Sequence, residues 1–453
     1  MNRVLVSLAL LLTVPFRGLA DDSAATLLAH AREGRGAWEI ARHLTDRIGP
    51  RLSGSANAEK AVAWTAATMR AWGLEVRLQP VTVPHWVRGR EEAKLTSPTE
   101  QALAVTALGG SIATPPEGIT APVIEVRSYE ELRALGETVR GKIVFYNRRM
   151  DPELVAAGRS FEAYRLAVEF RGTGAVEAAK LGAVAAVIRS VASHSLRTPH
   201  TGSTRYDDEV PKIPAAAVST EDADLLERLL ARDESVAMHL LLTPQQLPDV
   251  ESANVIAEIR GSEKPEEIVV IGGHLDSWDL GTGAIDNASG IAMTMETMRV
   301  LHAMKLRPRR TIRAVLFMNE ENGTRGGRKY AAEHLPATHY AAIESDAGTG
   351  EPRGFTTTLE GEALQRLLPK LGVLEAIGAN RLATAAGTGA DTSHLTREGV
   401  VGFGVASDNR LYFAYHHSAA DTLDKIDPQH LQQNAAAMAV LTWVLANEEG
   451  PLR

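Results

Sequence analysis

Apolar positions along this chain recur with two periods. The runs "ANVIAEIRG" from Ala253, "EEIVVIGG" from Glu266, "TIRAVLFMN" from Thr311 and "HYAAIESDAG" from His339 are short and bounded by glycine or polar residues, which predicts buried strands. Between them "SGIAMTMETMRVLHAMK" from Ser289 has helical periodicity, and a further helix is expected from about Gly326. Nearer the start, "AEKAVAWTAATMRAWG" places Ala61, Trp64, Thr65, Thr68 and Trp72 on one helical face. Gly73 stops it, and the two tryptophans mark that face as the one to be buried. "LEVRLQPVTVPHWVRG" then alternates as a strand.

The pattern changes near "ATPPEGITAP". From there to about "TPQQLPDVES" it reads strand, helix, strand: "GKIVFYN" at Gly141, a helix from Thr173, "AVAAVIRSV" from Ala183 and "PAAAVS" from Pro214. This predicts an inserted unit over residues 116–250 between two parts of a main domain, 21–115 and 251–453, whose strands and helices alternate as in an α/β sheet covered on both faces. Nothing in the insert has ligand spacing, and His194, His200, Arg148 and Arg149 are expected to be solvated.

Composition adds destination rather than fold. Asn2 and Arg3 precede an apolar segment from Val4 to Val14, and Gly18-Leu19-Ala20 offers a cleavage site, so residues 1–20 read as a secretory signal too short to span a bilayer. The mature chain is therefore expected to be exported, to a periplasm or the medium, without stable membrane insertion. With 453 residues, 44% hydrophobic and 23% charged, the chain can bury a large core, and a net charge of -8 without a basic run speaks against nucleic acid. There is no cysteine, which removes disulfides, thiolate ligands and a thiol nucleophile together.

The chemistry gathers where apolar runs end. One run ends on His274, followed by Asp276 and Asp286; a second ends on Glu320-Glu321; a third ends on Asp346; and "YFAYHHSAADT" carries His416-His417. Open α/β sheets present ligand groups beyond the carboxyl ends of their strands. Any one of these groups reads as an ordinary surface or core feature, but four at successive strand ends point together to a metal site. Histidines and carboxylates suit zinc, with manganese or cobalt as alternatives. The set exceeds the needs of one tetrahedral ion. His274, Asp286 and Asp346 can serve one, and Asp286, Glu321 and His417 a second, with Asp286 shared. Glu320 is left over as general base, and Asp276 is expected to orient His274. Two ions about 3.5 to 4 Å apart acidify a shared water and polarise a carbonyl. Ser289 reads as a helix cap, "GTGAID" lacks the lysine of a phosphate loop, and His302, His334 and His339 read as structural.

The stretches "GGHLDSWDLGTGAIDNASG", "FMNEEN", "AAIESDAGTGEP" and "YHHSAADTLDKID" resemble the motifs of the co-catalytic zinc exopeptidases, the family of bacterial leucyl aminopeptidases and glutamate carboxypeptidases. "GPRLSGS" and "VPHWVRG" extend the resemblance over nearly the whole mature chain, most closely to the plasma glutamate carboxypeptidase branch. The resemblance implies an α/β zinc exopeptidase domain with a central mixed sheet flanked by helices and interrupted by a protease-associated domain. It also implies two zinc ions per chain on His274, Asp286, Glu321, Asp346 and His417, with Glu320 as base. It favours His417 over His416 because Ser418 and then Asp421-Thr422 follow as in the family pattern, and it suggests a cis Asp286-Asn287 peptide and a homodimer. Asn287, where relatives often carry aspartate, and the asparagine before the Glu pair are departures that leave the ligands intact.

The expected activity is hydrolysis of dipeptides and short peptides with a free carboxyl terminus. An aminopeptidase on the same scaffold, a metal-free receptor-like protein and a single-zinc transferase of the glutaminyl cyclase type are the alternatives. An exopeptidase needs a group that pairs with the substrate terminus, an acid for an amine or a basic residue for a carboxylate. No residue identifies itself as that group; the loops from Gly387 and Ser407 are candidate pocket walls.

Overall fold

The computed structural model describes residues 19–232, 235–335 and 338–452, so the expected leader falls almost wholly outside the described residues. Among the described residues no helix is long and apolar enough to cross a membrane.

Two mixed eight-stranded sheets organise the chain. The first runs, edge to edge, Glu75–Val87, Gln245–Ile259, Arg310–Phe317, Lys264–His274, Thr338–Glu344, Val401–Ser407, Pro352–Thr357 and Arg381–Thr384. Its central strands, Arg310–Phe317, Lys264–His274, Thr338–Glu344 and Val401–Ser407, are parallel. Val269 and Ile271 face one buried cluster while Ile268 and Val270 face another, which is why these strands read as continuous apolar runs. Helices Leu19–Arg32, Gly36–Arg42, Ser289–Ala303 and Pro428–Asn447 pack together on the first face; Arg325–His334 contributes Tyr330 and Ala331 to the second. Helix Pro428–Asn447 begins on Asp427, whose Oδ1 accepts from the N–H groups of Gln429 and His430, with Pro428 in the first turn.

The second sheet takes Gln101–Leu103, Glu91–Ser97, Ala237–Leu242, Ile119–Val126, Ile143–Tyr146, Ala185–Arg189, Ala215–Val218 and Val105–Ala107 in spatial order. The insert is thus larger than the composition change suggested. Strands from Glu91 to Ala107 pair into it rather than with residues 21–115, because Glu91–Ser97 lies antiparallel to Ala237–Leu242 and Val105–Ala107 to Ala215–Val218. At the other end, the long strand Gln245–Ile259 pairs with Glu75–Val87, so the chain has returned to the first sheet before residue 250. Prolines 115 and 116 mark a loop inside the unit, not its border.

Two further expectations change. Helix Ala56–Ala71 buries Ala58, Ala61, Val62, Thr65, Ala66 and Met69, a face of small residues that fits closely over the sheet, and leaves Trp64 and Trp72 half-exposed. Trp64 stacks on His43 with ring centroids 4.0 Å apart. Ser289 does not cap its helix; its hydroxyl donates to the Ile285 carbonyl, and Asn287 Oδ1 receives the Gly290 N–H instead.

Candidate metal centre

The ends of three adjacent parallel strands bring His274, the Asn319-Glu320-Glu321 turn and Asp346 side by side. In register, His274 pairs with Phe317 and Gly272 with Glu344. Two buried polar groups hold the loops beyond those ends. Arg51, fully buried, donates to the carbonyls of Leu275, Gly49, Thr282 and Gly283, and burial pulls its pKa down to about 10 against the opposing charges of Asp421 and Asp276. Asp421 accepts the N–H groups of Ala284, Ile285 and Asp286, although burial pushes its pKa up to about 7. The Asp286-Asn287 peptide is cis, as the family pattern suggested.

His274 Nε2 lies 3.0 Å from Asp286 Oδ1 and 3.2 Å from Asp346 Oδ1. His417 Nε2 lies 3.3 Å from Asp286 Oδ2 and 3.0 Å from Glu321 Oε2. The two oxygens of Asp286 therefore face different histidines, the arrangement a bridging carboxylate needs. Donor atoms set tetrahedrally around an ion at about 2.0–2.1 Å stand about 3.3–3.4 Å apart, so these spacings fit zinc-sized sites. The far nitrogens agree. His274 Nδ1 sits 3.1 Å from the Asp276 carbonyl and His417 Nδ1 sits 3.3 Å from the Thr201 carbonyl. Each Nδ1–H has an acceptor, which leaves each Nε2 lone pair free for a cation.

Asp276 orients His274 through its main chain, not its side chain as expected. Its carboxylate is 3.8 Å from Nδ1 and instead accepts the N–H groups of Asn319 at 2.9 Å, Glu320 at 3.1 Å and Glu321 at 3.4 Å. It thereby fixes the turn that carries the base and one ligand. Asn319 has φ 73, a conformation asparagine tolerates, and its amide donates to Ser53 Oγ at 2.8 Å, which ties in the "GPRLSGS" motif. Glu320 is half-buried on the cleft floor; burial raises its pKa to about 8, opposed by His274 and reinforced by Asp346 and Asp286, a balance that cations in the two clusters would reverse.

His416 stacks on His417 with centroids 3.5 Å apart and also reaches Asp286 Oδ2, at 3.4 Å. It does not reach Glu321, and its Nδ1 is buried without a partner. The geometry thus gives His417 the fuller ligand environment. Beneath the pair lies His200, buried rather than solvated, with its pKa pulled down to about 3 chiefly by burial.

The second unit completes the centre, which its sequence did not disclose. Thr201 N donates to the His417 carbonyl at 2.9 Å, Ser203 Oγ donates to the Glu321 carbonyl at 2.8 Å, and Arg171 enters the cleft. The cleft, about 180 Å³, is walled by Phe161, Tyr164, Tyr412 and Phe413 over Glu320 and Asp346. Of the two expected wall segments, the one from Ser407 supplies Tyr412 and Phe413. The loop from Gly387 is instead bound to buried Glu344, which accepts from Ala390 N, Asp391 N, Thr392 N and Thr392 Oγ1.

Residues 254–442 match the model of peptidase family M28. The chain is 39% identical to carboxypeptidase Q of Bos taurus over 435 residues, 95% of this chain and 90% of the bovine protein. The crystal structure of a peptidase M28 precursor from Shewanella amazonensis superposes with TM-score 0.91 at 39% identity, covering 96% of this chain and 98% of that one. A zinc aminopeptidase from Bacillus subtilis shares the fold, with TM-score 0.67 at 22% identity over 92% of this chain and 96% of its own.

Proposed function

The chain belongs to peptidase family M28 and is a metallo-exopeptidase; from that premise we propose that it is a two-zinc carboxypeptidase of the carboxypeptidase Q kind, acting on dipeptides and short peptides. One observation carries the two-metal reading: the oxygens of Asp286 face His274 and His417 separately, while Glu320 lines the same cleft and belongs to neither cluster. Zinc bound by these residues would supply Lewis-acid polarisation of the scissile carbonyl and acidification of water.

The chain's own groups do the rest. Glu320 takes the proton from the attacking water and returns it to the leaving amine. The Asp276 carboxylate keeps Glu320 and Glu321 in register with each other, and the carbonyls of Asp276 and Thr201 hold the histidine tautomers. The aromatic walls exclude bulk water, which strengthens each charge interaction inside. The start of the chain supports export, the second sheet is read as the protease-associated insert, and the branch resemblance supports a homodimer.

The test is a zinc-supplemented assay on a free dipeptide, its N-acetyl form and its C-terminal amide. Cleavage of the first two with the amide spared is expected; cleavage of the free and amide forms alone would make the protein an aminopeptidase. Glu320→Gln is expected to retain two zinc ions by elemental analysis and to lose about 10²- to 10⁴-fold in kcat. Turnover near wild type would remove Glu320 from the role of base.

A further inference from the structure

The segment that supplies His274 and Asp276 to the centre also carries Trp278, whose ring crosses to the other unit. It is buried in the apolar cluster of the second sheet, where Leu52, Trp86 and Trp278 join residues between Ala93 and Leu242. The ring lies so close to Gly109 that a Cβ there would fall 1.9 Å from Trp278 Cη2. Gly109 N donates to the Gly202 carbonyl at 3.0 Å, and Thr204 N donates to the Gly109 carbonyl at 2.9 Å. Trp278 thus rests on the backbone pairing that carries Thr201 and Ser203 to the metal centre. Asp279 reinforces the contact: its carboxylate accepts from Arg88 Nε at 2.8 Å and Nη2 at 2.5 Å, while Arg88 Nη1 donates to the Ala107 carbonyl at 2.7 Å.

The same residue touches the ligand groups from the first unit's side. Trp278 N donates to Glu321 Oε1 at 3.2 Å, while Glu321 Oε2 faces His417 Nε2. The indole meets the His417 ring edge-on, with centroids 5.7 Å apart. Trp278, Asp286, Glu321 and His417 border a cavity of about 10 Å³, room for one small occupant. Trp278 Nε1 is buried without a hydrogen-bond partner, a cost that an apolar ring would avoid, so the position uses the bulk and flat face of the indole rather than its N–H. The other cluster has no such link: His274, Asp286, Asp346 and the Asp276 carbonyl all come from the first unit.

We propose that Trp278 is a positioning residue that couples the docking of the second unit to one of the two metal clusters. An ion on Asp286, Glu321 and His417 is held tightly only while the units are docked, and that ion in turn favours docking. This rests on the two-zinc reading above. The coupling is reciprocal by necessity, since whatever binds the docked form more tightly must stabilise it. Undocking frees the ring from Gly109, and with it the N–H that fixes Glu321; the Thr201 carbonyl that accepts from His417 Nδ1 leaves at the same time. The ion on His274, Asp286 and Asp346 keeps its partners throughout.

The test reads metal content and backbone exchange rather than turnover. Zinc-loaded wild type, Trp278→Ala, Trp278→Phe and Gly109→Ala are dialysed against graded chelator buffers, and bound zinc is measured by elemental analysis. Wild type is expected to hold two ions, Trp278→Ala and Gly109→Ala to bind one of them about 10- to 100-fold more weakly, and Trp278→Phe to recover part of the loss. At a chelator level that strips the weakened ion, adding His417→Ala to Trp278→Ala should change little, whereas adding His274→Ala should release the remaining ion. In the wild type, chelation should speed amide hydrogen exchange in residues 107–109 and 201–204, a response that a side chain serving only to fill the core would not give. Two ions held by Trp278→Ala and Gly109→Ala as tightly as by wild type overturn the assignment, as does equal weakening of both ions or wild-type exchange in those segments that ignores zinc. Should Trp278→Ala fold poorly, Gly109→Ala and the wild-type exchange measurement carry the test. A wild type that binds a single ion sinks the two-zinc reading; a wild type that binds two ions, neither of them weakened in the variants, sinks this assignment alone.

Discussion

His274 leaves the end of a central strand, and its partners Asp286, Asp346 and Asp276 all belong to the first sheet's own loops. His417 leaves a loop at φ 60, stacks on another histidine and takes its Nδ1 acceptor, Thr201, from the second unit. One half of the centre is thus built by secondary structure, the other by the docking of two units. A strand end positions a ligand at no further cost, because the ladder already fixes its direction; a loop ligand needs contacts from elsewhere to select one conformation.

Asp286 joins the halves, so its removal should have the largest effect. Asp286→Ala is expected to lose both zinc ions by elemental analysis and to drop peptidase activity to background; retention of one ion would mean that the halves stand independently. Damage confined to the sheet side should be next. Asn287 Nδ2 donates to the Ser345 carbonyl at 2.7 Å between Gly273 and Gly290, and an aspartate there cannot donate. Asn287→Asp should lower stability by about 1–3 kcal/mol, read from denaturant unfolding. An unchanged midpoint would show that the site relaxes around the lost bond. The smallest effect tests the docked side: Ser203→Ala removes the bond to the Glu321 carbonyl and should reduce kcat/KM about 3- to 10-fold while zinc content and Tm hold. No change would detach the second unit from the positioning of Glu321.

The same contrast explains what could be read beforehand. Apolar runs stopping on His274, Glu320-Glu321 and Asp346 are local signals, and the register of parallel strands turns them into neighbours. The buried tryptophan face failed because close packing on a sheet favoured Ala61, Val62 and Met69 over larger rings. Arg171, Thr201 and Ser203 carried no signal. Their sequence spacing matches no motif, and two of them act through main-chain or neighbouring groups. That Arg171 stands beside His417 in the cleft becomes visible only when its surroundings are known.

By itself, then, the sequence determined the alternation of strands and helices, the candidate metal-ligating side chains and the carboxylate left over from them, since each follows from periodicity and residue chemistry along a few consecutive positions. The tertiary structure decided which of the two adjacent histidines meets Glu321, where the second unit begins and which of its residues lean over the centre. Those outcomes depend on contacts between segments as far apart as Thr201 and His417, and no local pattern encodes a distance that only docking sets.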